Sequence, residues 1–168
     1  MERVGFIGMG LMGVPMAKRI LNADFPLTVW NRTAEKARPV LDAGASWAGS
    51  PKEVAEASEI VITMVTDSRA VNEVTSGPNG VLEGAHPGLL LIDMSTIEPT
   101  TTRAVAARAA AVGVGMLDAP VTGTTPQAEQ GTLGIIVGGL AEHLERARPV
   151  LSAMGNKIIH AGPNGNGI

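Results

Sequence analysis

The sequence predicts a doubly wound α/β fold around a mainly parallel sheet, and three observations carry that prediction. Short β-branched runs alternate with longer, Ala-rich helical stretches along the 168 residues. The runs are apolar throughout, which marks strands covered by helices on both faces. Glycines and prolines stand singly between these periodic segments, so they read as punctuation between elements and not as a disordered tract. Alternation of this kind builds parallel strands joined by helical crossovers.

The elements follow in order. A strand at Val4–Ile7 precedes a helix at Leu11–Ala23, and a strand at Leu27–Trp30 precedes a helical pattern at Ala34–Ala43 with Thr33 as a candidate cap. Ser50-Pro51 offers an N-cap with proline at the first helical position, and Glu53 supplies the third-position carboxylate, so a helix covers Pro51–Ala57. A strand at Ile60–Val65 runs through Thr66-Asp67-Ser68 into a helix at Ser68–Thr75, with Asp67 or Ser68 as cap. Ser76-Gly77-Pro78-Asn79-Gly80 is a loop. Leu89–Met94 is the next strand, Thr101–Val112 a helix, Gly115–Ala119 and Gly134–Val137 strands, Glu142–Met154 a helix and Lys157–Ile159 a strand. No internal repeat, low-complexity tract or interdomain linker interrupts the pattern.

Composition narrows the function classes. Apolar residues make up 45% and charged residues 17%, enough for a buried core in one large domain. A net charge of −3 lacks the basic footprint of a nucleic-acid binder. The longest apolar runs, Leu89–Ile92 and Ile60–Ile62, are far too short to span a bilayer, and Met1-Glu2-Arg3 leads straight into a strand without a secretory signal. A cytoplasmic protein is the expectation. The absence of cysteine removes disulfides and thiolate metal sites, and His86, His143 and His160 lack ligand spacing, so no metal is expected.

Chemistry concentrates at the strand ends. Gly8-Met9-Gly10-Leu11-Met12-Gly13 is a Gly-x-Gly-x-x-Gly turn between the first strand and the first helix. Its first glycine permits a tight turn, its second admits a pyrophosphate to the backbone, and its third lets helix and strand pack. The helix N-terminus then presents free N–H groups to the phosphates. An NAD-binding version ends its second strand in Asp or Glu, which accepts from the adenosine ribose. Here that strand runs into Asn31-Arg32-Thr33. No carboxylate repels a 2′-phosphate, Arg32 offers a charge-assisted fork, and Asn31 and Thr33 can donate, so NADP(H) is preferred and NAD(H) possible. Val65 and Thr66 are placed to border the cofactor. Ser95 and Thr96, ending the strand that carries Asp93, are candidates for the nicotinamide or the substrate. The turn Thr122-Gly123-Thr124 after Asp118-Ala119-Pro120-Val121 is a candidate anion site.

These segments resemble the N-terminal domain of the β-hydroxyacid dehydrogenases, a Rossmann-type family that includes 3-hydroxyisobutyrate dehydrogenase, tartronate semialdehyde reductase, glyoxylate/succinic semialdehyde reductases and 6-phosphogluconate dehydrogenase. The resemblance runs through Gly5–Gly13 with Pro15-Met16-Ala17, Asp93-Met94-Ser95-Thr96-Ile97 with Pro99, Asp118–Gly123, Gly131-Thr132-Leu133 with Val137-Gly138-Gly139, and Met154-Gly155 with Gly162 and Gly165. It implies NAD(P)-dependent interconversion of a short 3-hydroxy acid and its semialdehyde, in a homo-oligomer. By the same resemblance Gly8, Met9, Gly10, Leu11, Met12, Gly13, Asn31, Arg32, Thr33, Val65, Thr66 and Thr96 hold the cofactor, and Ser95, Thr122, Gly123 and Thr124 meet the substrate.

The chain departs from the family pattern in two places. Thr122-Gly123-Thr124 stands where the family has Ser-Gly-Gly, and Thr124 adds a Cβ where the backbone is expected to approach substrate. The family's catalytic lysine follows Gly-x-Gly-x-x-x-Lys, and Gly165-Asn166-Gly167-Ile168 supplies only its start. The lysine, the long helix and the all-helical second domain of the family are thus expected beyond Ile168, with residues 1–162 forming the NADP-binding domain and 163–168 starting the interdomain segment. No catalytic residue is expected within the chain, which binds cofactor but turns over poorly by itself. Two alternatives stand: an imine reductase, which shares the Asn-Arg-Thr triplet, and a non-catalytic nucleotide- or partner-binding module.

Overall fold

The computed structural model describes all of residues 1–168. Strands β1 (Val4–Ile7), β2 (Leu27–Trp30), β3 (Ser46–Trp47), β4 (Ile60–Thr63), β5 (Leu90–Asp93), β6 (Gly115–Asp118), β7 (Val121–Thr122), β8 (Leu133–Gly138) and β9 (Gly155–Gly162) form one sheet. Its order is β3-β2-β1-β4-β5-β6-β8-β7, with β9 paired to β8. The helices are α1 (Gly13–Asn22), α2 (Arg38–Asp42), α3 (Pro51–Glu56), α4 (Ser68–Ser76), α5 (Pro99–Ala111), α6 (Thr125–Gln130) and α7 (Ala141–Met154). Chain order reverses between β1 and β4, which opens a crevice above the carboxyl ends of these two strands.

Strand burial explains the apolar runs. Phe6, Ile60, Ile62, Leu90 and Ile92 enter one core with Met16 and Ile20 of α1 and Leu144 and Leu151 of α7. Ile7, Val61 and Leu91 enter a second core with Val54 of α3, Val71 of α4 and Val105 of α5. Successive residues thus feed opposite cores, and each side chain of the Phe6, Ile62 or Ile92 kind stabilises the fold by about 2 kcal/mol.

The mainly parallel sheet ends in an antiparallel turn-back. Asp118 pairs with Gly138, Val121 with Ile135 and Thr122 with Gly134, and Ile136 N–H donates to Pro120 O at 3.2 Å. These pairs share one register, so β6 and β7 are a single strand interrupted at Pro120, which has no N–H to donate.

Several boundaries differ from the sequence reading. The first helix begins at Gly13, because Leu11 and Met12 are used in the turn. The Ala34–Ala43 pattern splits into a 3-10 turn at Ala34–Ala37 and the short α2, and Thr33 makes no side-chain capping bond. The strand read as Ile60–Val65 stops at Thr63, freeing Met64 and Val65 for the crevice. Lys157–Ile159 is the middle of the eight-residue β9. The short elements β3, β7 and α6 were not expected.

Candidate functional site

A cleft of about 930 Å³ lies over the β1–β4 crossover. Its floor is the glycine turn, and the structure assigns the three glycines different physical roles. Gly8 has φ +110°, a conformation that L side chains rarely adopt, and a Cβ there would lie 2.0 Å from Met64 O. Gly13 packs so closely that a Cβ would lie 1.9 Å from Gly8 O. A Cβ on Gly10 would meet nothing within 4 Å, so this glycine keeps open space on the cleft side. The N–H groups of Gly10, Leu11 and Met12 find no acceptor in the protein, whereas Gly8 N–H donates to Trp30 O at 3.0 Å. Free donors beside the open space at Gly10 suit a pyrophosphate.

The structure brings Gly8, Gly10, Leu11, Met12, Gly13, Asn31, Arg32, Thr33, Val65 and Thr66 into this one cleft. Met9 is a correction in kind: its side chain is buried in the core, and its N–H is taken up within the protein. That N–H donates to Asn31 Oδ1 at 2.8 Å, and Asn31 Nδ2 donates to Thr33 O at 2.8 Å. Asn31 therefore ties the glycine turn to the end of β2, a role beyond the phosphate contact expected of it. Arg32 and Thr33 are exposed, and Arg32 takes part in none of the ion pairs of the chain.

Lys36, also unpaired, lines the cleft four residues after Arg32 and was missed in the sequence, where it read as part of a helix. Also missed were Trp30, Ser50 and Pro51, and the far wall formed by Ala70, Glu73 and Val74 of α4 with Pro78 and Asn79. The one available signal was the loop motif at Ser76–Gly80.

Ser95 and Thr96 are not part of the cleft lining. Ser95 is buried, and its Oγ accepts from Val65 N–H at 2.9 Å, so its hydroxyl holds the β4 exit loop in place. Thr96 is exposed. Thr122 borders a separate hollow of about 340 Å³ with Gly134, Ile136 and Lys157. Thr124 has φ −117°, needs no glycine, and caps α6: its N–H and hydroxyl both donate to Gln127 Oε1, at 2.9 and 2.6 Å. Gly123 is the residue of this turn that requires glycine, with φ +136°.

Three buried polar groups end adjacent strands in register, Thr63 beside Asp93 and Asp93 beside Asp118. Asp93 Oδ1 accepts from Thr63 Oγ1 at 2.8 Å and from Ser95 N–H at 3.2 Å, while Oδ2 is buried without a partner. Burial pushes its pKa up to about 6; bonds from Ser95 and Thr63 oppose the rise and the nearby Asp118 adds to it. Asp118 is satisfied differently. Its oxygens accept from Asn164 Nδ2 at 3.1 Å, Gly165 N–H at 3.0 Å and Gly167 N–H at 2.9 Å, which fixes the path of the chain beyond β9. No cluster of His, Cys, Asp and Glu suits a metal ion, and no helix is long and apolar enough to cross a membrane.

A nicotinamide-dinucleotide-binding domain of the Rossmann type is the class that this sheet order and cleft define. The chain belongs to the family described as the NAD binding domain of 6-phosphogluconate dehydrogenase, which matches residues 3–162. It is 44% identical over 168 residues to 3-sulfolactaldehyde reductase of Escherichia coli (strain K12), covering 100% of this chain and 56% of that protein. Among solved structures it is similar to Mycobacterium tuberculosis 3-hydroxyisobutyrate dehydrogenase with L-serine, at TM-score 0.94 and 36% identity over 99% of this chain and 56% of the other. It is likewise similar to Psf3 in complex with NADP+ and 2-OPP, at TM-score 0.94 and 32% identity over 98% of this chain and 58% of the other. The chain spans little more than half the length of these relatives.

Proposed function

We propose that the chain is the NADP-binding part of an oxidoreductase that interconverts a short 3-hydroxy acid and its semialdehyde. The observation that carries the cofactor reading is the juxtaposition, in one cleft, of the open Gly10 cradle with Arg32 and Lys36, neither of them neutralised by an ion pair. Free N–H groups from Gly10 to Met12 bind the pyrophosphate, and Arg32 and Lys36, joined by Thr33, select the 2′-phosphate. When bound, the nicotinamide supplies or accepts a hydride. The protein's part is to hold the dinucleotide, with Ser95 fixing Val65 and Asn31 fixing the glycine turn.

The acid and semialdehyde substrate class follows from the relatives, which include 3-sulfolactaldehyde reductase and 3-hydroxyisobutyrate dehydrogenase. Their greater length supports the reading that further residues complete the reaction. Residues 1–162 then form the cofactor domain, and Asp118 directs the segment from Pro163 onward. A cytoplasmic homo-oligomer is the form proposed for the full protein.

Two tryptophans, one of them Trp30 in the cleft wall, give a direct assay through energy transfer to reduced nicotinamide. NADPH is expected to bind at least about tenfold more tightly than NADH, since a charge-assisted pair contributes on the order of 1.5 kcal/mol or more. Arg32→Ala and Lys36→Ala should each erode that preference, and added salt should weaken it. Equal affinities would refute the NADP assignment, and no binding of either dinucleotide would refute the cofactor reading itself.

A further inference from the structure

Glu73 is the one carboxylate among the residues lining a cleft otherwise supplied with cations and free N–H groups. An acid in a phosphate-binding cleft is repulsive unless it faces a donor on the ligand. Its position follows from helix geometry: Ala70, Glu73 and Val74 stand at i, i+3 and i+4 of α4, one face turned to the cleft. Val74 is buried, and together with Ala70, Pro51 and Pro78 it makes an apolar wall suited to a flat ring. Glu73 stands at the rim, its side chain 55% exposed, with Oε1 held by Arg69 Nε at 3.1 Å and no protein donor on Oε2.

Asn79 completes the rim. Its backbone is fixed at both ends in a left-handed conformation, φ +57°: the N–H donates to the Glu83 carboxylate and the carbonyl accepts from Lys52 N–H at 2.8 Å. Its carboxamide makes no hydrogen bond within the protein and is free to offer one donor and one acceptor.

We propose, resting on the dinucleotide reading above, that Glu73 and Asn79 hold the amino edge of the purine, and that Glu73 thereby selects an adenine over a 6-oxo purine nucleotide. Glu73 accepts from the exocyclic amine, and the Asn79 carboxamide pairs with the adjoining ring nitrogen. A 6-oxo purine turns an oxygen toward the carboxylate, so the Glu73 contact is lost, whereas the Asn79 carboxamide flips to accept from the ring N–H and holds either base. The apolar wall and Asn79 hold either base, which leaves the Glu73 contact to discriminate.

The test compares NADPH with its hypoxanthine analogue, reduced nicotinamide hypoxanthine dinucleotide phosphate, by calorimetric titration of the 168-residue chain. Wild type should prefer NADPH about tenfold, the discrimination of one rim hydrogen bond. Glu73→Gln, which places an amide donor beside the purine, should bring the ratio near one with the melting temperature unchanged, whereas Asn79→Ala should weaken both dinucleotides alike and lower the melting temperature, because alanine is disfavoured at φ +57°. Equal binding of both dinucleotides to wild type, or a ratio untouched by Glu73→Gln, overturns the purine-edge proposal and leaves the cofactor reading standing. Failure of both dinucleotides to bind overturns the two together.

Discussion

Asp93→Asn is expected to remove the loss of stability that ionising this one buried carboxyl imposes as pH rises between about 4 and about 6. The native carboxyl is wholly buried, one oxygen has no partner, and burial has moved its pKa from 3.8 to about 6. Within that window the folded chain keeps a proton that the unfolded chain has already lost. The Asp93 contribution to stability therefore decreases as pH rises through the window and levels off above it. The separation of the two pKa values corresponds to about 3 kcal/mol, a sizeable share of the stability of a domain this size. Asparagine retains the oxygen that accepts from Thr63 and Ser95 but carries no charge to bury. Urea unfolding of both proteins from about pH 4 to pH 7 gives the difference curve, in which carboxylates titrating elsewhere cancel. The variant should gain about 3 kcal/mol relative to wild type across the series. Parallel curves would show that Asp93 is not the buried acid that this geometry describes.

The glycine turn separates folding from binding. Gly10→Ala should leave the melting temperature unchanged yet weaken dinucleotide binding roughly tenfold to a hundredfold, whereas Gly13→Ala, with its Cβ against Gly8 O, should cost about 3 kcal/mol and lower the melting temperature by roughly 6–12 °C. Similar effects from the two changes would contradict the assigned roles. Asp118→Asn should deprive Gly167 N–H of its acceptor and speed its amide hydrogen exchange, while exchange in β1 stays slow; unchanged protection would refute the anchoring of the last residues. His86 is drawn down by burial but drawn up further by the carbonyls of Pro87, Ser58 and Ala55 and by Glu59, for a net rise. Its contribution is present below the ordinary histidine pKa and is lost as pH rises through the raised value, so proton NMR titration should give a midpoint above 6.5. A midpoint below that would mean that desolvation prevails.

The long apolar strands were legible because burial on both faces writes itself into consecutive residues, as at Ile60-Val61-Ile62. Short elements were not. Ser46–Trp47 is a strand only because β2 offers it an edge, and the six residues of α6 are too few to show a period. In the site, a local motif revealed the glycine turn because its geometry lies within six residues of backbone. The far wall was hidden because folding assembles it from Pro51, α4 and Asn79, none of which carries a signature of its own. Ser95 illustrates a different gap: its place at a strand end was read correctly, but only the Val65 N–H pointing at its Oγ reveals a structural task.

The single carboxamide of Asn31 has a consequence for attempts to redesign cofactor choice. It grips the glycine turn at Met9 with one end and the backbone of Thr33 with the other. A redesign that placed an acid there to favour NADH would put charge where Met9 N–H and Thr33 O now share an amide, and would slacken the loop while altering the preference. Arg32 and Lys36 project freely from the same rim and carry no such second duty. On the proposed NADP reading, selectivity is adjusted at those two positions, and position 31 is the hinge pin on which any such adjustment depends.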